Sequence, residues 1–401
     1  MFRSTLLLVF FASLAVAAPS SSRGSRGAHL GQVHGAKRAT QHSLLLYVRA
    51  QDDMNDPDDL TVAITLINKG SGAVKILNDP NSVLSTWKTH TFDFVSVPST
   101  GPGGVKAKAG VQAGVTAVQV KYSPAIAAVR KNKVAFTVLQ PGENKTVVHD
   151  LSGMYTFRAS GTYKVKLAST AENFNIVEDD GSISTVAATV YNGEGADQWS
   201  AITVPSNATL TSEKGLVNTG IPSIDSVANN TSLDVGPHSP KFNSCTVEQQ
   251  FQITAAANVS RQYLVEVNQY LNGSLGDRYT TWFGTQNAEI VKGHFANLTA
   301  KLDEFQYDCS CSSAFIFAYV FPGRYPMVHL CGAFWSAPVK GTDSQAGIII
   351  HEGTHFTAIA GTVDYTYSKR KAKALTQSRP DQTIMNADSH EYFAENTPQL
   401  N

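Results

Sequence analysis

The sequence predicts a multidomain chain, an N-terminal β-sandwich followed by an α+β, mainly helical domain with a small β-hairpin or sheet. Three observations carry that expectation. Apolar residues alternate with a period of two through the first half. They switch to helical spacing beyond residue 240. All four cysteines, Cys245, Cys309, Cys311 and Cys331, lie in that second part. The 401 residues suit two or three domains at roughly 150 residues each.

Composition works by exclusion. The chain has 32 basic and 32 acidic side chains and no formal net charge. A protein built to hold nucleic acid normally carries a basic excess, so no nucleic-acid partner is expected. Charged residues make up 16%, too few for a solvating or highly charged disordered chain. Four cysteines are too sparse for a disulfide-dense scaffold.

Residues 1–18 read as a secretory signal peptide. Arg3 gives the positive start, Leu6 to Leu14 the apolar core, and Ala15-Val16-Ala17 a small-residue cleavage pattern. The run is short for a membrane span, which needs about 20 apolar residues. No later stretch is long and apolar enough, so a secreted, extracellular product with no membrane partner is expected. Seven Asn-x-Ser/Thr triplets, at Asn144, Asn207, Asn229, Asn230, Asn258, Asn272 and Asn297, fit a glycoprotein. Residues 19–42 are Ser-, Gly-, Arg- and His-rich and read as disordered.

The sandwich is expected over about 43–190. Leu60, Val62, Ile64 and Leu66 alternate, 68–72 offers a turn, and Val74 and Ile76 resume. Val134 to Leu139 leads into a turn at Pro141-Gly142-Glu143-Asn144, and Thr146 to Val148 follow. Tyr163, Val165 and Leu167 alternate again, and no catalytic cluster is visible in this part. Residues 192–240 lack periodicity and read as a linker.

Beyond the linker, Thr246 to Gln249 has the form of a capping box, and apolar positions run at helical spacing to Leu271. Ile290, Val291, Phe295, Leu298 and Leu302 suggest a second helix. Ala314 to Phe321, a turn, and Tyr325 to Leu330 suggest a hairpin. Thr342 to Gln345 resembles another capping box, opening a helix with a stop at Gly361. An even cysteine count suggests two disulfides. Cys309–Cys311 is awkward at one intervening residue, and either remaining pairing ties the start of this domain to its middle.

The chemistry sits at 351–367. In HEGTH, His351 and His355 are four apart and share a helix face, so both can reach one metal ion. Glu352 lies beside the first and can act on water there. A third ligand is needed, and a chain reversing at Gly361 could return Asp364.

HEGTH followed by GTVDYTY (361–367) resembles the aspzincin signature of secreted, deuterolysin-type fungal zinc metalloendopeptidases. The stretches 309–324, 331–338, 342–352 and 386–396 are similar to its peptidyl-Lys metalloendopeptidase branch, so the resemblance covers essentially 241–401. It implies a zincin-type catalytic domain with one zinc ion, held by His351, His355 and Asp364. It implies Glu352 as catalytic carboxylate, Tyr367 steadying the oxyanion, and Asp388 and Glu391 recognising a substrate lysine. The signature often ends in Gly where this chain has Ser368, which puts a backbone turn in question.

From spacing alone, Asp388 to Glu391 reads as a capping box rather than a lysine pocket; the resemblance reverses that preference. His390 is expected to be structural; His294 and His329 are expected to pack or lie at the surface. Phe334-Trp335 reads as core, and Lys369-Arg370-Lys371 with Lys373 as a solvated helix face.

The expected organisation is signal peptide 1–18, propeptide 19–240 and catalytic domain 241–401, acting as a monomer on protein or peptide substrates. The upstream part has no cysteine, so a thiolate cannot cap the zinc; the propeptide would inhibit by steric cover. A lysine-directed enzyme could cut Pro240–Lys241 itself. The competing readings are a deuterolysin-like protease without lysine preference and a noncatalytic secreted binding protein of the same fold.

Overall fold

The computed structural model describes residues 42–51, 54–98, 109–129, 133–191, 200–205 and 240–401. The expected signal peptide, most of 19–42 and most of the expected linker lie outside them.

The first half is strand-rich. One sheet runs in the order Thr189–Tyr191, Leu44–Ala50, Thr61–Asn68, Asn144–Asp150. A second joins Ala201–Val204, Gly161–Leu167 and Phe92–Ser96. A third joins Ile183–Ala187, Asn173–Val177, Val74–Leu77 and Phe136–Leu139. Period-two alternation explains the inner faces: Leu60, Val62, Ile64 and Leu66 are all fully buried. Gly142 turns the chain before Asn144–Asp150 with φ +80°, a conformation glycine adopts without a Cβ clash. Ala201–Val204 is a strand inside the stretch read as linker; its four residues are too few to show a period.

The second half is mainly helical around a five-stranded sheet, and that sheet crosses the expected domain boundary. Its strands are β1 (Gln119–Tyr122), β2 (Lys241–Asn243), β3 (Gln306–Asp308), β4 (Ile316–Val320) and β5 (Met327–Leu330), in the order β2-β3-β5-β4-β1. The expected hairpin is β4–β5, antiparallel with Ala318 opposite Leu330. Strand β1 comes from the N-terminal half and lies antiparallel on the edge of β4.

Helix α1 (Val247–Leu271) carries the expected capping box between Thr246 and Gln249. It packs with α2 (Ala288–Lys301) and α3 (Gln345–His355) on a core that includes Ile253, Leu264, Phe295, Leu298, Ile348 and Ile349. Helix α5 (Ala387–Glu395) packs along α3, and helix α4 (Lys369–Ser378) packs against α5. The N-cap of α3 is Ser344, not Thr342: the Ser344 hydroxyl accepts from Gly347 N, and Glu395 accepts from Ser344 N. Disulfides join Cys245 to Cys309 and Cys311 to Cys331, which resolves the open pairing.

Candidate metal centre and adjoining cation pocket

All eleven residues of α3 are buried, so HEGTH projects into the protein interior. Gly353 permits this: a Cβ there would lie 2.6 Å from Leu298 Cδ1, too close for the helix to seat against α2. The helix ends at His355, six residues before the expected stop, and Gly361 (φ +64°) then reverses the chain. That reversal returns Asp364, with Oδ1 3.1 Å from His351 Nε2 and 3.5 Å from His355 Nε2.

These three groups fit a metal ion. Their donor atoms lie within 4.8 Å of one another. His351 Nε2, His355 Nε2 and Asp364 Oδ1 are buried without a hydrogen-bond partner, an arrangement that is costly unless a cation satisfies it. His355 Nδ1 lies 2.8 Å from the Thr362 carbonyl, which directs its Nε2 lone pair to the cluster. Two imidazoles and a carboxylate are a donor set suited to zinc with an open position. Burial works against the charge on Asp364, yet His355 and His351 hold its carboxyl well below the usual range. Burial pushes Glu352 well above its usual value, and neither of its carboxyl oxygens has a partner among the described residues.

A second acidic pocket adjoins the first. Asp388 and Glu391, one helical turn apart on α5, both lie 3.1 Å from His351 Nδ1. The capping-box reading is overturned here: the N-cap of α5 is Asn386, and Asp388 sits inside the first turn. The pocket holds the ammonium of Lys121 from β1, 2.5 Å from Asp388 Oδ1 and 2.6 Å from Glu391 Oε2. Burial opposes that charge, but the two carboxylates hold the Lys121 pKa well above its usual value.

Tyr367 completes the site. Its hydroxyl donates to the Val120 carbonyl at 2.6 Å and accepts from Asn81 Nδ2 at 2.7 Å. Asp364 Oδ2 accepts from Val120 N at 3.1 Å. Ser368 has φ +84° and ψ 145°, a backbone region that favours glycine, and its N–H donates to Asp388 Oδ2 at 2.7 Å. The usual glycine of the signature therefore has a physical reason, and Ser368 keeps the turn at a cost in strain.

The other residues take plain roles. His390 lies 3.0 Å from His294 and 3.1 Å from the Asn386 carbonyl; burial, then His294, push it down to about 3. His329 stacks on Tyr319. Phe334 is core and Trp335 packs against it. Lys371 departs from the solvated face: it is partly buried and reaches Asn175. Sequence reasoning missed Lys121, Val120 and Asn81. The one signal for Lys121 was a lysine between Val120 and Tyr122 in an apolar strand, which is weak among so many lysines.

A histidine pair on one helix turn, a neighbouring glutamate and a returning aspartate define the class as a metallopeptidase. The family model for lysine-specific metallo-endopeptidase matches residues 269–395. The peptidyl-Lys metalloendopeptidase of Grifola frondosa is 33% identical over 88% of this chain and 93% of its own length. That of Armillaria mellea is 33% identical over 88% of this chain and 92% of its own. An extracellular protease of Aeromonas hydrophila is 32% identical over 66% of this chain and 73% of its own. The chain belongs to the lysine-specific metallo-endopeptidase, or aspzincin, family, and is a metalloendopeptidase.

Proposed function

We propose that the chain is a secreted proenzyme whose catalytic part hydrolyses peptide bonds on the amino side of lysine, with one zinc ion. The observation that carries this is the seating of a lysine ammonium between Asp388 and Glu391, beside His351. A compact cation with three donors suits two carboxylates.

His351, His355 and Asp364 are the residues to hold the ion, which, when bound, brings water to a pKa of about 7 and polarises the scissile carbonyl. Glu352 takes the water's proton and delivers it to the leaving amine, and it sits beside the ligand His351 with both carboxyl oxygens free of other described partners. Tyr367 donates to the carbonyl oxygen as charge develops on it. Asp388 and Glu391 fix the lysine and so choose the bond. Residues 1–18 are the signal peptide, 19–240 the propeptide and 241–401 the catalytic domain. Secretion is supported by the sequence of 1–18, by the two disulfides, and by an extracellular relative.

The test is digestion of a long unfolded protein, with and without chelator, followed by reading the new N-termini. Lysine at most new N-termini, lost with chelator, is expected. Chelator-sensitive cutting with no lysine bias would overturn the specificity.

A further inference from the structure

Strand β1 meets the site as a substrate would. It runs antiparallel to β4, with Lys121 opposite Ala318 and Val120 opposite Tyr319. Cutting before a lysine makes two geometric demands. The lysine side chain must lie in the acidic pocket, and the carbonyl before it must lie at the oxyanion donor. Lys121 meets the first demand and Val120, hydrogen-bonded by Tyr367, meets the second. The Val120 N–H is held by Asp364 and the Gln119 side chain accepts from Asp364 N, which fixes the strand's register.

Lys88 shows what a buried structural lysine looks like in the same half of the chain. It is satisfied by Ser152 and Asp150, with no contact to the site. Lys241, the other candidate, opens β2 at the opposite edge of the sheet, four strand spacings from β1, or about 19 Å at roughly 4.8 Å each.

Resting on the lysine reading above, we propose that Val120–Lys121 is a processing site of this chain, an internal substrate cut by the site it fills. Water's oxygen bonds to the Val120 carbonyl carbon and the C–N bond breaks. The Lys121 nitrogen leaves as an amine, carrying the proton that Glu352 drew from the water. No other reactant is required.

The test uses the zinc-loaded full-length chain and maps new N-termini by mass spectrometry. Wild type is expected to yield a fragment beginning Lys121-Tyr122-Ser123-Pro124, with a rate constant unchanged by tenfold dilution. Glu352→Gln and Lys121→Met are expected not to yield it. A second readout needs no turnover: an end-blocked Gln-Val-Lys-Tyr peptide should bind the Glu352→Gln, Lys121→Met double variant at least tenfold tighter than Glu352→Gln alone. If Lys121→Met fails to fold, the wild-type and Glu352→Gln arms still decide.

Val120–Lys121 surviving in wild type that cuts an added lysine peptide would overturn the proposal. So would cleavage slowing in proportion to dilution, which means one molecule cuts another. If wild type cuts nothing while Lys121→Met cuts the added peptide before lysine, the specificity stands and the strand is a plug rather than a substrate, which overturns the processing site. If neither protein cuts before lysine, the specificity reading fails and the processing site falls with it.

Discussion

The Lys121 ammonium nitrogen lies 2.5 Å from Asp388 Oδ1, across 267 positions of sequence, with both side chains shut away from solvent. Such a pair is stable only as a unit, because removing one partner strands a buried charge at about 3–5 kcal/mol. Replacing Asp388→Asn and Glu391→Gln together should therefore do two things. The full-length chain should lose stability of that order, read by denaturant unfolding. Preference for lysine should fall at least tenfold in peptide digests while bound metal stays at one per chain. Lysine preference surviving the double change would remove these residues from the pocket role.

The three unpartnered donors predict that folding and metal binding are linked. Zinc at a hundred times its dissociation constant should stabilise the chain by about 2.7 kcal/mol. Thermal melts with and without zinc measure this. His355→Ala should abolish most of the difference, and an unchanged shift would place the ion elsewhere.

Glu352 and Tyr367 should affect turnover rather than metal content. Glu352→Gln should lower kcat by roughly 10²–10⁴. Tyr367→Phe should lower it by about 10²–10³. Zinc analysis of both proteins should match wild type; metal loss would reassign the residue to holding the ion.

Ser368 at φ +84° offers a gain in stability. Ser368→Gly relieves the backbone at a gain of about 1 kcal/mol, the lower end for such strained conformations. Chemical denaturation gives the value, and a loss would mean that the Ser368 side chain contributes more than its backbone costs.

Asp308 on β3 gives the acid limb of stability. Burial opposes its charge, but His329 and Ser310 bring its pKa to about 2 from 3.8. The unfolded chain thus takes up the proton first. Stability rises with pH across that window, and the contribution is lost as pH falls through 2. The full effect is about 2 kcal/mol, by the usual 1.36 kcal/mol per unit. Asp308→Asn should flatten the rise, as measured by unfolding between pH 2 and 5.

Much of this was legible in the residues. Period-two alternation found the strand around Ile64, and helical spacing found α1 and α2, because burial on one face imposes those periods. The convergence of His351, His355 and Asp364 was legible because residues four apart share a helix face and Gly361 lets the chain turn back. Strand β1 was not: four residues carry no period, and its partner β4 lies almost two hundred positions away. Spacing alone placed the cap at Asp388, whereas the helix starts two residues earlier at Asn386, a residue type equally favoured there but making no side-chain cap bond here.

The place of Val120–Lys121 within the N-terminal strands has a further consequence. Thr61–Asn68 before the bond pairs with Asn144–Asp150 after it, and Phe92–Ser96 pairs with Gly161–Leu167. Val74–Leu77 pairs with Phe136–Leu139 and Asn173–Val177. Three sheets are thus zipped across the one junction, so a break there would leave two interlocked fragments, complementing each other as a nicked but folded body. Scission and departure then become separate events, and a single cut need not free the cleft.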